Sequence, residues 1–390
     1  MKIDDARVFE ACELAVQKGL HLTCVVLGLR PGDEVITTPM TFCATINAII
    51  HAGATPVLAD VDPVTMNLDP DSVREAITPR TKAILVVHFA GRACDMDSLV
   101  AIAREHDLKI IEDCAHAIET EYKGKKAGTI GDLGVLSFYS TKNIVTGEGG
   151  MVLTSDPALA KRTKMMALHG MSADAWRRFR DDGYEHYDVE EIGFKYNMID
   201  LQAAIGLHQI ERVETWWRRR LKIWQHYMSE LADLAIQLPA AFSDEERHGL
   251  HLFTILIDRE RCGISRDQML TALHEQNIGT GVHYRAIPDL RAYRERYGWR
   301  SEDYPNAKAI GDRTISLPLS PRLSVRSCSE QPGTCSSTAY SFCFSSIVND
   351  SISSTTFLCL SRRCMVSSLR RFSSAFRILR SWRRLTILIA

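Results

Sequence analysis

Ser137-Phe138-Tyr139-Ser140-Thr141-Lys142-Asn143, followed by Gly147-Glu148-Gly149-Gly150, is the stretch around which the chain is organised. Leu133 to Tyr139 is a β-type run, so the lysine stands between a strand end and a glycine-rich loop. Upstream, Ile110-Ile111-Glu112-Asp113 ends a second strand, and its last carboxylate leaves the sheet pointing the same way. Outward from this pair, Glu34 to Thr37, Pro56 to Ala59, Ala83 to His88, Lys109 to Glu112 and Gly150 to Thr154 read as strands. Thr41 to Ala52, Asp69 to Ile77, Met96 to His106 and Ala158 to Ala167 read as helices, the second opened by an acidic cap. Continuous apolar strands separated by amphipathic helices predict an α/β fold with a mostly parallel mixed sheet between helices.

Residues 1–30 read as helical up to the stop at Gly28-Leu29-Arg30-Pro31-Gly32. Residues 171–196 are polar, charged and aromatic, as in a long surface segment. Ile199 to Leu231 reads as one helical stretch leading from a large domain to a small one. There His251 to Asp258 (strand), Ser265 to Gln276 (helix) and Ile278 to Tyr284 (strand) predict a smaller C-terminal α/β unit. The expected organisation is therefore 1–228 as the large domain, 229–324 as the small domain and 325–390 as a tail. In that tail serine, arginine and cysteine dominate, Glu330 and Asp350 are the acids, and periodicity is lost. Phe342-Cys343-Phe344 is unlike a disordered tail, and the shortage of acids and glycines is unlike a domain. The reading is an out-of-frame translation, with an unusual basic extension as the alternative.

The 390 residues carry a net charge of −1, so no global basic field points to nucleic acid or an acidic membrane surface. Trp216-Trp217-Arg218-Arg219-Arg220 reads as a solvated helix face, not a nucleic-acid site. Met1 to Gln17 has no apolar core of a signal peptide, and no run suits a membrane-spanning helix, so a cytoplasmic soluble protein is expected. The 11 cysteines make no CxxC pair and no metal-ligand spacing with histidine, and the scattered ones read as buried small hydrophobes.

A lysine and an aspartate at strand ends of one sheet are what pyridoxal 5'-phosphate (PLP) chemistry needs. The amine condenses with the aldehyde, and the carboxylate keeps the pyridine nitrogen protonated. Further stretches carry a resemblance: Pro31-Gly32-Asp33-Glu34-Val35-Ile36, Thr41-Phe42-Cys43-Ala44-Thr45, Ile111-Glu112-Asp113-Cys114-Ala115-His116-Ala117, Thr146 to Met151, Lys195-Tyr196-Asn197-Met198 and Gln202-Ala203-Ala204-Ile205-Gly206. With Ser137 to Lys142, they resemble the DegT/DnrJ/StrS sugar aminotransferases, over roughly Gly19 to Leu323. Leu168-His169-Gly170-Met171-Ser172 with Asp174-Ala175-Trp176 looks like the branch acting on nucleotide-linked keto-sugars for surface polysaccharides.

The resemblance implies a homodimer with shared active sites and transfer of an amino group to a nucleotide sugar, at C4 with C3 as the alternative. Glutamate is the expected donor. By position, Lys142 is the Schiff-base lysine and Asp113 the partner of the pyridinium nitrogen. His116 would lie near the phenolic oxygen, Ser137 would bind the phosphate, and Phe42 would stack on the ring. Asn197 would reach the neighbouring subunit's phosphate, and His283 and Tyr284 would lie toward the sugar. Each also has a plainer reading: Asp113 as a helix cap, His116 and Phe42 as core residues, Asn197 as a turn residue. Two departures stand out. The family's longer N-terminal segment is missing, and Ala15-Val16-Gln17-Lys18 replaces its phosphate-holding turn. The competing expectation is thus a non-catalytic, truncated or frame-disrupted remnant.

Overall fold

The computed structural model describes residues 12–13, 16–171 and 187–323, all within Met1–Asn349, the first of the two units into which the chain divides. The expected tail, Ala15 and Ser172 to Trp176 lie outside the described residues.

After β1 (Cys12–Glu13), α1 (Val16–Val26) runs to the turn at Gly28–Gly32, where both glycines take positive φ. Then come β2 (Glu34–Thr37), α2 (Cys43–His51), β3 (Thr55–Leu58), α3 (Pro70–Ala76), β4 (Thr81–Val87), α4 (Met96–Glu105) and β5 (Lys109–Cys114). The acidic cap expected at Asp69 is present, its carboxylate accepting the Ser72 N–H. A hairpin of β6 (Glu121–Tyr122) and β7 (Lys125–Lys126) precedes β8 (Leu133–Ser137), β9 (Gly150–Leu153) and α5 (Pro157–Ala167).

The large sheet has the order β1-β9-β8-β5-β4-β2-β3. Its β3-β2-β4-β5-β8 portion is parallel, while β9 and β1 join antiparallel. This is the mostly parallel mixed sheet that the apolar strands predicted. Alternate residues serve opposite faces. Val35, Ala83, Leu85, Val87, Ile111 and Val135 join α1 residues Leu20, Leu22 and Cys24 in one core. Ile36, Ile84, Val86 and Ile110 join Met96, Leu99 and Ile102 of α4 in another. Burying each valine, leucine, isoleucine or methionine side chain among them contributes about 1.5–3 kcal/mol.

The same alternation separates Glu112 from Asp113. Fully buried Glu112 accepts the backbone N–H groups of Gly128, Ile130 and Gly131, and His88 Nε2 lies 3.0 Å from it, so it staples a loop. Asp113 faces the other way.

Beyond the lysine loop lie α6 (Asp200–Ile210) and α7 (Val213–Glu230). The single helix expected over Ile199–Leu231 is broken at Glu211–Arg212 by tertiary contacts. The Gln209 side chain clamps both backbone groups of Val145, and Val213 turns into a core with Leu136 and Phe138.

The later elements are β10 (Ile236–Gln237), β11 (Glu246–Arg247), β12 (Phe253–Ile257), α8 (Arg259–Cys262), α9 (Arg266–Glu275), α10 (Arg291–Tyr297), α11 (Pro305–Arg313) and β13 (Thr314–Leu317). A second sheet runs β10-β12-β13, antiparallel throughout, while β11 pairs with the β6 hairpin. Its core joins Ile223, Trp224 and Tyr227 of α7 to Phe253, Ile255, Met269 and Leu273.

Ile278–Tyr284, expected as a strand, is not one. The place beside β12 is taken by β13, and Gly281 makes one bridge to Ser316. Ala286, Ile287, Tyr293, Ala307 and Ile310 pack back on Leu58 of β3 and on Met40, Ile46 and Phe89 of the large sheet's loops and helices. Of the cysteines expected to be buried, Cys24, Cys94, Cys114 and Cys262 are so, and Cys43 is half-buried.

Candidate active site

Open α/β sheets bind ligands beyond the C-terminal ends of their strands, and both chemistry-bearing strands end there. In the β5–β8 register Asp113 lies opposite Val135 and Cys114 opposite Leu136, so Asp113 and Ser137 emerge at the same edge. The backbone then turns. Phe138 N–H donates to Gly149 O, Thr146 N–H to Phe138 O and Lys142 N–H to Tyr139 O, at 2.8, 2.9 and 2.9 Å. Gly147 needs its positive φ of 85°. At Gly149 a Cβ would come within 2.4 Å of Thr146 Oγ1 and 2.8 Å of Met198 Cε. The glycine-rich loop is therefore a close backbone approach that sets where Lys142 stands.

Lys142 is half-buried, and burial lowers its amine from 10.5 to about 8 against the opposing attraction of Asp113. Asp113 is 4% exposed. Its carboxylate accepts Thr45 Oγ1–H and the Ala115 N–H, each at 3.0 Å. Burial raises its pKa, while those two bonds and the Lys142 charge oppose the rise. Asp113 caps no helix, so its burial beneath α2 has no capping explanation.

Around this pair stand neutral imidazoles. Burial first, and the Lys142 charge second, hold His116 and His251 well below 6.5 and bring His283 to about 4. His116 and His251 stack with centroids 4.2 Å apart at 26°. His116 Nε2 lies 3.2 Å from the Tyr284 hydroxyl, and burial raises the Tyr284 pKa. Ser137 is buried; its Oγ lies 3.5 Å from the Tyr139 N–H that donates to it, and among the described residues nothing accepts its own proton. Phe42, 58% exposed, has its ring 6.2 Å from that of Tyr284. Both rings line a cleft of about 710 Å³ with Thr41, Arg266, Arg285 and Asp289.

The structure thus gathers Lys142, Asp113, His116, Ser137, His283, Tyr284 and Phe42 on one side of the molecule's strand ends. Asn197 makes no hydrogen bond or ring contact with any of them. It lies on an exposed turn, its Oδ1 accepting from Lys195 Nζ and its Nδ2 donating to Met198 O. Val16, Gln17 and Lys18 form the first turn of α1, where Gln17 Nε2 lies 3.4 Å from His51 Nδ1 and Lys18 lies over the Tyr196 ring.

The residues present fit a pyridoxal group on two observations. The buried Nδ1 of His116 has no hydrogen-bond partner among the described residues. The buried carboxylate of Asp113 faces a site with a depressed lysine amine. Both are costs without a ligand and assets with one.

The sequence reading missed Asn143, Glu119, Arg220 and His251. Asn143 and His251 are joined at 2.9 Å, and Glu119 and Arg220 form an ion pair at 3.1 Å. Arg220 is a correction. The Trp216–Arg220 stretch was expected to be a solvated face, yet Arg220 is 4% exposed. In the same stretch Trp217 Nε1 donates to His248 O and its ring stacks under Arg247. Adjacency to Lys142 was the available signal for Asn143; the other three carry none, because their partners are distant in sequence.

A family model described as the DegT/DnrJ/EryC1/StrS aminotransferase family matches residues 15–330. The spore coat polysaccharide biosynthesis protein SpsC of Bacillus subtilis (strain 168) is 45% identical over 306 residues, covering 78% of this chain and 79% of SpsC. A putative sugar aminotransferase of Streptococcus pneumoniae, Spr1654, solved in PMP and PLP forms, is similar in structure. The PMP form has a TM-score of 0.79 at 31% identity, covering 87% of this chain and 88% of that one. Helicobacter pylori PseC, an aminotransferase involved in the biosynthesis of pseudoaminic acid, has a TM-score of 0.76 at 25% identity, with 89% and 87% covered.

Proposed function

The chain belongs to the DegT/DnrJ/EryC1/StrS aminotransferase family, and from that premise we propose that it moves an amino group from glutamate onto C4 of a nucleotide-linked keto-sugar. The product would serve surface polysaccharide synthesis in the cytoplasm. The observation that carries the reading is the half-buried Lys142 amine, held at about 8 opposite a buried carboxylate and among neutral imidazoles.

When bound, PLP would supply an electron sink for the electron pair left as a proton leaves the donor's carbon and, in the second half of the reaction, before a proton is placed on the acceptor's carbon. The chain's own residues do the rest. Lys142 would hold the cofactor, and its Nζ would take up and return a proton; a value near 8 suits both directions near neutral pH. Asp113 would hold the proton on the ring nitrogen, its two hydrogen bonds fixing the carboxylate plane. His116 would offer Nδ1 to the ring oxygen, Ser137 would donate to the phosphate, and Phe42 would stack on the ring. His283 and Tyr284 face the sugar, and the cleft of about 710 Å³ has room for a nucleotide sugar.

We place Asn197 in the site of a second copy. No residue of α6 is buried, and Ile199, Leu201 and Leu207 are 58%, 70% and 69% exposed, an apolar surface suited to a homodimer. Among the described residues no helix is long and apolar enough to cross a membrane.

The test is to add PLP to the purified chain, follow its visible absorbance, and then supply glutamate and a 4-keto nucleotide sugar in turn. Absorbance that forms, is discharged by glutamate and returns with the keto-sugar supports the proposal. A protein that stays colourless with PLP, or an unchanged spectrum in Lys142→Ala, refutes it.

A further inference from the structure

The residue after Lys142 is buried, and its side-chain amide is fully engaged. Asn143 Nδ2 donates to Glu119 Oε2 at 2.8 Å and to Gly249 O at 3.1 Å. Carboxylate and carbonyl only accept, so the amide oxygen must face the other way, where it lies 2.9 Å from His251 Nδ1. An amide oxygen also only accepts. His251 therefore carries its proton on Nδ1 and keeps a lone pair on Nε2.

Behind Glu119 stands Arg220 of α7, whose Nη1 donates to Glu119 Oε1 at 3.1 Å, with side chains 5% and 0% exposed. In front of His251 is His116, stacked at 4.2 Å and in turn 3.2 Å from the Tyr284 hydroxyl. Each polarity in the run Arg220, Glu119, Asn143, His251 is fixed by the one before it. Buried ion pairs of this kind contribute little stability over apolar residues of the same shape, so its fixed direction needs another explanation.

We propose that the Arg220–Glu119 pair is a positioning device for the active site: through Asn143 it orients the backbone after Lys142 and sets the Nδ1–H form of His251, whose ring holds His116 flat. These four are positioning residues. The proposal rests on the reading that Lys142 and His116 face the cofactor.

Glu119→Gln has one acceptor atom where two are needed. If the new side-chain amide gives its oxygen to Arg220, its NH2 meets the NH2 of Asn143; the Asn143 amide flips to accept it, giving up its bond to Gly249 O, and the NH2 of Asn143 then faces His251 Nδ1. The expected result is a switch of His251 to the Nε2–H form, read by nitrogen-15 NMR of the cofactor-free protein and assigned with His251→Gln. Turnover should fall about tenfold, with KM for glutamate changed less than about twofold, as misplaced rather than lost groups would give.

Glu119→Gln combined with Arg220→Gln restores the order. The amide introduced at position 220 can accept from the one at position 119, whose oxygen is then free for Asn143. That pair should recover both the Nδ1–H form and turnover, and it decides the matter if the single variant does not fold. The proposal is overturned if folded Glu119→Gln keeps its tautomer and turnover, or if the double variant regains the tautomer without the turnover. Failure of the underlying reading is distinct, because it shows as full turnover in Lys142→Ala.

Discussion

Lys142 should destabilise the protein that carries it. Its amine titrates at about 8 in the native state against 10.5 when unperturbed, after the attraction of Asp113 has been included. That difference corresponds to about 3 kcal/mol at about 1.36 kcal/mol per pH unit. The sign follows from proton linkage. Below pH 8 both native and unfolded chains carry the proton, and the native state bears the whole cost of the buried charge. Between about 8 and 10.5 the unfolded chain binds more protons, so stability rises with pH. Above 10.5 the amine is neutral in both states and the cost is gone.

Lys142→Met keeps the stem and removes the charge. In the cofactor-free protein at pH 7 the variant should therefore be more stable by about 3 kcal/mol, or roughly 4–6 °C in Tm for a chain of this size. The gain should shrink from pH 8 upward and vanish near pH 10.5. Denaturation of both proteins at pH 7, 9 and 10.5 reads it, with exposed Lys125→Met as a control that shows no such gap. A variant no more stable than its parent at pH 7, or a gap indifferent to pH, would show that Lys142 is an ordinary solvated lysine and refute the reasoning. A stabilising loss of function is the signature of a site held at the expense of the fold.

Four further outcomes can be checked. Asp113→Asn, which keeps the shape but gives up the charge and one of the two acceptor oxygens, should lower kcat by about 10²–10³-fold in steady-state assays. The rate of PLP uptake should climb with pH through about 8 as Lys142 loses its proton, with no second break between pH 5 and 7, because His283 titrates near 4 and His116 and His251 lie well below 6.5. If Asn197 serves its partner's site, mixing and reassembling inactive Lys142→Ala and Asn197→Ala chains should recover about a quarter of wild-type activity, since half the dimers then hold one intact site; no recovery places Asn197 in its own chain's site, and an active Asn197→Ala chain places it outside the site. Gly134→Ala would set a Cβ 2.3 Å from Gly128 Cα and O, so thermal denaturation should show a loss of about 3 kcal/mol or more in the strand that carries Ser137.

What the sequence made legible follows from how far each interaction reaches along the chain. Val35-Ile36 and Ile84 to Val87 are apolar on both faces because helices cover both, so their pattern alone announced a parallel sheet. Asp113 and Ser137 were legible because each closes such a run, and Lys142 because a glycine loop follows it. Ile278–Tyr284 misled because a β-like composition does not secure a pairing partner. Thr314–Leu317 takes that place beside β12 with four paired residues, against the one bridge Gly281 makes. The break at Glu211–Arg212 was hidden for the same reason, since no glycine or proline marks it and Gln209 imposes it from its grip on Val145.

The polar partners fail in another way. Arg220 and Glu119 are 101 residues apart, and His251 and Asn143 are 108 apart. On a helix carrying Arg218 and Arg219, nothing local distinguishes the arginine that is buried. Only the fold places Glu119 beneath α7, and only then does the amide beside Lys142 acquire a direction. The candidate groups could thus be named from strand ends and loops, whereas the groups packed behind them depend on α7 and the 248–251 segment meeting the lysine loop. Variants of Arg220 or His251 should therefore change the geometry of the site while leaving every motif of the sequence in place.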